Sequence, residues 1–474
     1  MKKFILALLA VLALPFAFSG EVEAKEDVLK IYNWEDYIDE GDEKTTALID
    51  DWVEDYKKRT GKTVTVVYDT FATNEIMMNT LKTGKTSYDL VCPSEYTIMR
   101  MISQDMLETY DVNEGEYAKI ANYNSYGSLY LKNLFKDMDL YQYAIPYMWG
   151  TLGMIYNPEK ISEEAVNHWS VLWNTEYKKM ATAKDSVRDT MVASVYHIYY
   201  DEAMSYRSSY LDGTMTAQQY NEKLTNLMNR TNDVTLDTMK SDLLALKKNV
   251  YGFEVDNGKN DIATGRISIN VAWSGDAVYA LDVAEEENGT YLNYIIPEEG
   301  SNVWFDGWVM PKGANKELAQ DFVNYLCQPE NAARNMNYIG YTPSIAGNAI
   351  WDLVNEWYGA EEGEEGYDVD LSYFFNGTID EEYLTDGKAI ITVGEVGRQF
   401  SAQYPTEEEI ARCCVMQDFG DQNEKVLAMW KAVKAGETNM AAIIIVCSVV
   451  VAGVAGYLIY TKTKKSRRLK HRNK

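Results

Sequence analysis

The strongest constraint on the fold of this chain is an alternation of two hydrophobic periodicities in its first hundred residues. Short strand-like runs alternate with runs whose apolar residues have helical spacing, and together they occupy 28–32, 48–56, 64–68, 76–81 and 88–92. Such alternation is typical of β-α-β units, in which helices join parallel strands. We therefore predict an α/β fold whose open, mostly parallel sheets are flanked by helices.

The length of the body indicates more than one structural unit. Residues 25–440 exceed what a single hydrophobic core usually supports, so we expect two lobes. Open α/β sheets bind ligands in the crevice beyond the carboxyl ends of their strands. Trp34 and residues 94–96 each follow a strand candidate, and we expect them to lie in that crevice.

The local structure of three later segments can be predicted from their residue patterns. Residues 319, 322, 323 and 326 are apolar at helical spacing after Asn315, which is placed to cap the helix. Residues 236, 239, 243 and 246 predict a second amphipathic helix. Residues 359–370 are rich in Gly and Glu, and we interpret them as a solvated excursion.

The N-terminus predicts export. Two lysines precede an apolar run, and small residues at 22–24 suit a signal peptidase, so 1–24 is expected to be a signal peptide. Residues 441–460 carry no charge and are long enough as a helix to cross a bilayer. The basic tail, 461–474, should then be cytoplasmic. We expect an exported protein, anchored to the cell membrane by a single C-terminal transmembrane helix with its body outside.

Three segments place an indole within three residues of a carboxylate. Trp34 precedes Glu35 and Asp36, Trp273 precedes Asp276, and the third pair is in the string WFD at 304–306. Aromatic faces attract a cation, and acids bind ammonium groups, so this pattern favours capture of an organic amine. The net charge of −27 would attract small cations and makes nucleic acid an improbable partner.

Catalysis and resident metals have little support in the sequence. His168 and His197 are the histidines of the body, and no G-x-S-x-G string or CxxC pair is present. We therefore predict no catalytic residue, no metal site and no cofactor. Three alternatives stay open: a glycosidase-like enzyme, because tryptophan-rich clefts also bind sugars; a receptor of this fold for iron or another small solute, because the chain has 36 tyrosines; and a tethered sensor.

Six strings in order resemble the spermidine/putrescine-binding proteins of polyamine ABC importers, which are bilobed periplasmic binding proteins. They are IYNW at 31–34, DLVCPS at 89–94, IPYMWG at 145–150, WSVLWNTEY at 169–177, PEEG at 297–300 followed by WFD at 304–306, and IGYTP at 339–343. Their order and number make the resemblance specific. The chain is longer than those proteins at 199–248 and 351–412, and the role of these insertions is open.

The resemblance implies a set of ligand-binding residues. Trp34, Tyr37, Ser94 and Tyr96 would line one wall of the cleft, whereas Trp273, Trp304 and Tyr341 would enclose the methylene chain. Asp306 would take an ammonium group, and Gln417 would form a hydrogen bond at one end. The family places another acidic pair where this chain reads DSVRD at 185–189. Asp189 matches its second acid, but Ser186 replaces the first and Asp185 is one residue early, so this end of the site is expected to differ.

The resemblance also implies an architecture and partners. The fold would be the type II periplasmic-binding-protein fold, with 25–147 and 305–345 in lobe 1 and 148–304 and 346–436 in lobe 2. The chain would cross between lobes near 147–150 and 297–304, which would act as hinges. The partners would be a small-molecule polyamine, an ABC permease and its ATPase.

Overall fold

A computed structural model describes residues 27–394 and 400–436 of the chain. The strands are β1 (Asp27–Trp34), β2 (Val64–Phe71), β3 (Leu90–Val91), β4 (Leu107–Glu108), β5 (Val112–Asn113), β6 (Glu116–Tyr117), β7 (Ala144–Tyr156), β8 (Ala181–Lys184), β9 (Gly252–Glu254), β10 (Ile269–Trp273), β11 (Asn293–Ile295), β12 (Ser301–Pro311), β13 (Thr342–Pro343), β14 (Gly366–Asp370), β15 (Ile390–Gly394) and β16 (Cys413–Cys414).

The α-helices are α1 (Leu48–Thr60), α2 (Asn74–Thr83), α3 (Glu95–Ser103), α4 (Ala121–Tyr126), α5 (Leu129–Asp137), α6 (Glu163–Val166), α7 (Val187–Ile198), α8 (Tyr200–Leu211), α9 (Ala217–Met228), α10 (Asp233–Asn249), α11 (Gly258–Ala263), α12 (Ser274–Asn288), α13 (Lys316–Leu326), α14 (Pro329–Ile339), α15 (Asn348–Tyr358), α16 (Ser372–Phe375), α17 (Phe400–Gln403), α18 (Glu407–Ala411) and α19 (Asn423–Ala435). Short 3-10 helices lie at Trp169–Trp173, Thr175–Tyr177, Glu381–Tyr383 and Gly420–Gln422.

The main sheet is mixed, with the strand order β2-β1-β3-β12-β7-β10-β8-β9. Both ends are parallel, since β1 pairs in parallel with β2 and β3, and β8 pairs in parallel with β9 and β10. The centre is antiparallel, because the long strands β7 and β12 run against each other and against β10 and β3. The prediction of a mostly parallel sheet was therefore wrong for the centre, where two strands of opposite direction connect the parallel ends.

The buried apolar side chains form two clusters, and the long strand β7 contributes to both. Its residue Trp149 belongs to the first cluster, whereas Leu152 belongs to the second. Trp273 is half-buried and packs against both clusters. The bounds of the two predicted lobes stay a prediction, but this division of the core places Trp273 where the two clusters meet.

The predicted helices form as expected. In α13 the four apolar positions are buried, and the Asn315 side chain accepts a hydrogen bond from the Leu318 main-chain N–H at 3.3 Å. In α10 the four predicted apolar residues are buried. The excursion at 359–370 is more regular than predicted, because β14 pairs with β15 in a two-stranded sheet whose β14 side chains are mostly exposed.

Within 27–394 and 400–436, none of the helices combines the length and the apolar character that a membrane span needs. The predicted signal peptide at 1–24, the predicted anchor at 441–460 and the predicted basic tail at 461–474 lie outside the described residues.

Candidate ligand-binding site

One cavity, with a volume of about 960 Å3, opens beyond the carboxyl ends of several strands. Strand β1 ends at Trp34, β10 ends at Trp273, and Asp185 follows β8 directly. All predicted ligand-binding residues except Gln417 line this cavity: Trp34, Tyr37, Ser94, Tyr96, Asp185, Asp189, Trp273, Trp304, Asp306 and Tyr341. The topology therefore brings together residues as distant in the sequence as Trp34 and Tyr341.

Asp306 is a buried carboxyl group held by two hydroxyl groups. The Tyr37 hydroxyl donates to its Oδ2 at 2.9 Å, and the Ser94 hydroxyl donates to its Oδ1 at 2.7 Å. Burial raises the pKa of Asp306 to about 7, although both hydroxyl groups favour the ionised form, and the nearby carboxyl of Asp189 raises the pKa further. Within the described part of the chain, no lysine or arginine forms an ion pair with Asp306, so an external cation would supply its missing counter-charge.

Asp189 and Glu95 are buried beside Asp306. The Trp273 indole N–H donates to Asp189 Oδ1 at 3.1 Å, and burial raises the pKa of Asp189. Glu95 Oε2 accepts from the Phe305 main-chain N–H at 3.3 Å. Burial raises the pKa of Glu95 well above its usual range, which favours its protonated form. Asp306 and Asp189 are therefore the better candidates to bind a cation.

Three acids of the cavity share a local design, because each lies in the first turn of a helix that follows a strand. Glu95 is in the first turn of α3, Asp189 in that of α7 and Asp276 in that of α12. The free N–H groups and the dipole of a helix start favour a carboxylate by about 0.3–1 kcal/mol. This contribution offsets part of the cost of burying the acids.

Aromatic rings form the walls between the acids. The ring centroids of Tyr341 and Trp304 are 5.7 Å apart, and those of Tyr341 and Tyr37 are 5.2 Å apart and nearly perpendicular. The close approach of Tyr341 depends on Gly275, because a Cβ atom at that position would lie 2.4 Å from the tyrosine ring. A larger residue would displace the ring from the cavity wall.

Asp276, the acid paired with Trp273 in the sequence pattern, has cationic partners from the protein itself. Its Oδ2 lies 3.1 Å from Lys184 Nζ, its Oδ1 lies 3.6 Å from Lys259 Nζ, and the Tyr341 hydroxyl donates to Oδ1 at 3.0 Å. Burial raises the pKa of Asp276, but the two ammonium groups lower it more, and the net shift is downward.

The altered segment 185–189 behaves as its sequence suggests. Asp185 forms an ion pair of 2.7 Å with Lys434 of α19, so its carboxylate already has a cationic partner. Ser186 caps α7, because its hydroxyl accepts from the Asp189 main-chain N–H at 3.4 Å. The residue that replaces the family's first acid therefore supports the second acid, Asp189.

Gln417 does not line the cavity, contrary to the expectation that its side chain would bind the ligand. Its main-chain N–H donates to Asn229 Oδ1 at 2.8 Å, and its carbonyl accepts from Arg188 Nη1 at 2.6 Å. Its side chain is exposed, and the neighbouring Met416 lines the cavity instead. The cause is Arg188, which ties the main chain of this segment to α7.

Three functional residues were missed or misjudged from the sequence. Glu95 stands between two predicted residues, and Asp276 was part of the indole pattern, so both had a local signal. Lys184 had none, because its contact with Asp276 joins residues 92 positions apart. No group of three or more His, Cys, Asp or Glu side chains in the described ranges is arranged to hold a metal ion.

A family of known proteins matches most of this cavity-forming body. The family described as bacterial extracellular solute-binding protein matches residues 51–357. The chain belongs to this family. It is a family of solute-binding proteins rather than enzymes, and its extracellular character agrees with the predicted export.

Individual relatives agree with the family and the fold. The chain is 30% identical over 347 residues to the putrescine-binding periplasmic protein PotF of Escherichia coli, covering 71% of this chain and 82% of the relative. It is 28% identical to the spermidine/putrescine-binding periplasmic protein of Salmonella typhimurium, covering 74% and 87%. A solved structure described as a putative spermidine/putrescine ABC transporter from Listeria monocytogenes is similar, with 25% identity, a TM-score of 0.60, and coverage of 86% and 99%. The protein therefore has the α/β fold of periplasmic binding proteins.

Proposed function

We propose that this protein captures a linear polyamine, such as putrescine or spermidine, in the cavity and delivers it to the permease of an ABC importer. The observation that carries the proposal is the pair of buried acids, Asp306 and Asp189, that form no ion pair among the described residues. Aromatic side chains line the same cavity. The names of the relatives support the same class of ligand.

The chemistry of such a ligand suits the cavity. A polyamine carries ammonium groups separated by apolar methylene spacers, so it needs acids at fixed positions with aromatic faces between them. Each cation–π contact contributes roughly 0.5–2 kcal/mol, and each charged hydrogen bond contributes roughly 1.5–3 kcal/mol. After the cost of association, several such contacts give about −8 kcal/mol, which corresponds to micromolar affinity.

We propose a two-lobed type II arrangement in which β7 and β12 form the hinges. Contacts on both sides of the cavity support a closed form: Arg100 of α3 lies 3.6 Å from Asp418, and the guanidinium of Arg188 lies 4.1 Å from the ring centre of Tyr96. A ligand that contacts both sides would favour the closed form over the open one. The permease, driven by its ATPase, would recognise that closed form.

We propose that residues 441–460 anchor the body to the outer face of the cell membrane, with the basic tail inside. The support is the uncharged composition of this run and the basic residues that follow it. Cell fractionation tests the proposal: the full chain should remain with membranes after a carbonate wash, and a chain ending at residue 436 should be released. Release of both proteins would contradict the anchor.

Calorimetry and thermal shift test the polyamine proposal on the purified full-length protein in detergent. Putrescine and spermidine should bind, whereas ferric ion and a panel of sugars should not. Asp306→Asn should weaken polyamine binding by tenfold or more, because it removes the charge that an ammonium group needs. Asp105→Asn is the matched control, since Asp105 is an exposed acid far from the cavity. Binding of ferric ion or a sugar, or an unchanged affinity in Asp306→Asn, would refute the proposal.

A further inference from the structure

The most unusual group beside the cavity is the ammonium of Lys184. Lys184 is the last residue of β8, and its side chain is fully buried. A buried lysine is rare unless it is paired, because removing an ammonium group from water is costly. The contacts of this ammonium therefore define a site that is built to hold a cation.

The Lys184 ammonium forms two hydrogen bonds and lies close to a second carboxylate. Its Nζ donates to the Val255 carbonyl at 3.0 Å and to Asp276 Oδ2 at 3.1 Å, and it lies 3.5 Å from Glu254 Oε1. It also lies 4.1 Å from the centre of the Trp273 ring. Acids on one side and an indole face on the other are the environment that the ammonium group of a bound amine requires.

Lys184 is charged at neutral pH. Burial lowers its pKa, but the carboxylates of Asp276 and Glu254 raise it more, so the net shift is upward. The partners that hold the ammonium also fix its position, since two hydrogen bonds, a second carboxylate and an indole ring all contact it.

The acids of the cavity therefore fall into two groups. Asp276 and Glu254 are paired with Lys184, and Asp185 is paired with Lys434. Asp306 and Asp189 form no ion pair within the described residues, and burial favours the protonated form of Glu95. Of the buried acids, Asp306 and Asp189 thus remain for the ligand, whereas Glu35, Asp36, Glu40 and Glu75, which also line the cavity, are exposed.

We propose that the Lys184 ammonium permanently fills a cation position between Trp273 and Asp276, and that it thereby makes the site selective for diamines over triamines. This inference rests on the proposed polyamine function and specifies its substrate. A diamine has two ammonium groups for Asp306 and Asp189. The third ammonium of a triamine either approaches the fixed ammonium of Lys184 or lacks a buried carboxylate partner, and both outcomes weaken its binding.

The test is the ratio of the spermidine and putrescine dissociation constants, measured by calorimetry on the full-length protein in detergent. The wild-type protein should bind putrescine more tightly than spermidine. In Lys184→Met the spermidine-to-putrescine ratio should fall by about tenfold or more, because Asp276 and Glu254 lose the fixed ammonium and can attract the third ammonium of spermidine. Asp276 keeps Lys259 and the Tyr341 hydroxyl as partners in this variant.

Two further variants separate the effect of position from that of charge. Lys184→Arg keeps the charge and should keep the preference for diamines. Lys425→Met removes an ammonium from an exposed lysine–aspartate pair that does not line the cavity, and it should leave the ratio unchanged. A lower ratio in Lys425→Met would show that overall charge sets the selectivity, which would overturn the inference.

The failures of the two proposals are distinguishable. If the wild-type protein binds neither amine, the polyamine function itself is wrong. If it binds spermidine more tightly than putrescine, the polyamine function stands and the role of Lys184 is wrong, even when Lys184→Met does not fold. An unchanged ratio in a folded Lys184→Met that still binds putrescine would also overturn the inference.

Discussion

The two ends of the cavity each contain a buried aspartate, yet the pKa values of the two acids shift in opposite directions. At one end, burial raises the pKa of Asp306 to about 7. At the other end, burial also raises the pKa of Asp276, but Lys184 and Lys259 reverse the shift. Burial alone therefore does not determine the charge of a cavity acid. The presence of a cation from the protein does, and its absence near Asp306 identifies the end that the ligand would complete.

The two ends should also contribute differently to stability. When a buried ion pair loses one partner, the charge of the other partner stays buried without compensation. When a buried acid with hydroxyl partners is removed, only neutral groups are left behind. The ion pair of Asp276 thus stabilises the folded protein even without ligand. Burial of the Asp306 carboxyl, in contrast, costs stability until a cation binds to it.

The largest expected effect comes from comparing Asp276→Asn with Asp306→Asn. The first change leaves Lys184 buried with fewer anionic partners, and it should lower the free energy of unfolding by roughly 3 kcal/mol. The second should raise the free energy of unfolding instead, because at pH 7 a neutral amide avoids the cost of burying the Asp306 carboxyl, and the hydroxyl groups of Tyr37 and Ser94 can accept as well as donate. Urea unfolding without ligand, at pH 7, measures both. Equal losses would contradict the distinction between the two ends.

The pH dependence of putrescine binding should also distinguish the two ends of the cavity. Below a pH of about 7 the Asp306 carboxyl is protonated in the free protein, and a bound ammonium favours its ionised form, so binding releases a proton. The affinity for putrescine should rise about tenfold between pH 6 and pH 8. Calorimetry in buffers of different ionisation enthalpy counts the released protons. An affinity that stays constant over this range would contradict the raised pKa of Asp306.

As the pH rises, the stability of the ligand-free protein should change in the direction opposite to the putrescine affinity. The unfolded chain loses the Asp306 proton near pH 4, whereas the folded protein keeps it to about pH 7. The folded state therefore binds more protons between these values, and this acid makes the protein less stable as the pH rises through them. Asp306→Asn should lack this contribution, which urea unfolding at pH 4.5 and pH 7 would measure as a smaller loss in the variant.

Those features of the cavity that depend on short sequence motifs could be predicted from the sequence. The indole and carboxylate pattern, with the family resemblance, predicted Trp304, Asp306 and Tyr341, and the structure gathers them in one cavity. The ion pair of Lys184 with Asp276 was not predictable, because it depends on the parallel pairing of β8 with β10. The mixed centre of the sheet was missed for a similar reason, since strand direction depends on connections that local periodicity does not encode.

Gly275→Ala tests whether the position of Tyr341 matters to the ligand. A Cβ atom would lie 2.4 Å from the tyrosine ring, so the ring must move away from Trp304. We expect putrescine affinity to fall about threefold to tenfold, which corresponds to the loss of roughly one aromatic contact. Gly252→Ala is the matched control, because a Cβ atom there meets no atom within 4 Å. Equal affinities of the two variants would contradict the role of the ring.

The smallest expected effect is that of Gln417→Ala, where the family resemblance and the geometry disagree. The resemblance implies a hydrogen bond from this side chain to the ligand, and its loss would cost about 1 kcal/mol or more, which is fivefold or more in affinity. In the structure the side chain is exposed and only the main chain of Gln417 contacts Arg188 and Asn229. Alanine preserves those main-chain contacts, so we expect less than a twofold change in putrescine affinity by calorimetry. A fivefold loss would mean that ligand binding draws the 416–419 segment into the cavity, and the Arg188 contact would then have to break as the ligand binds.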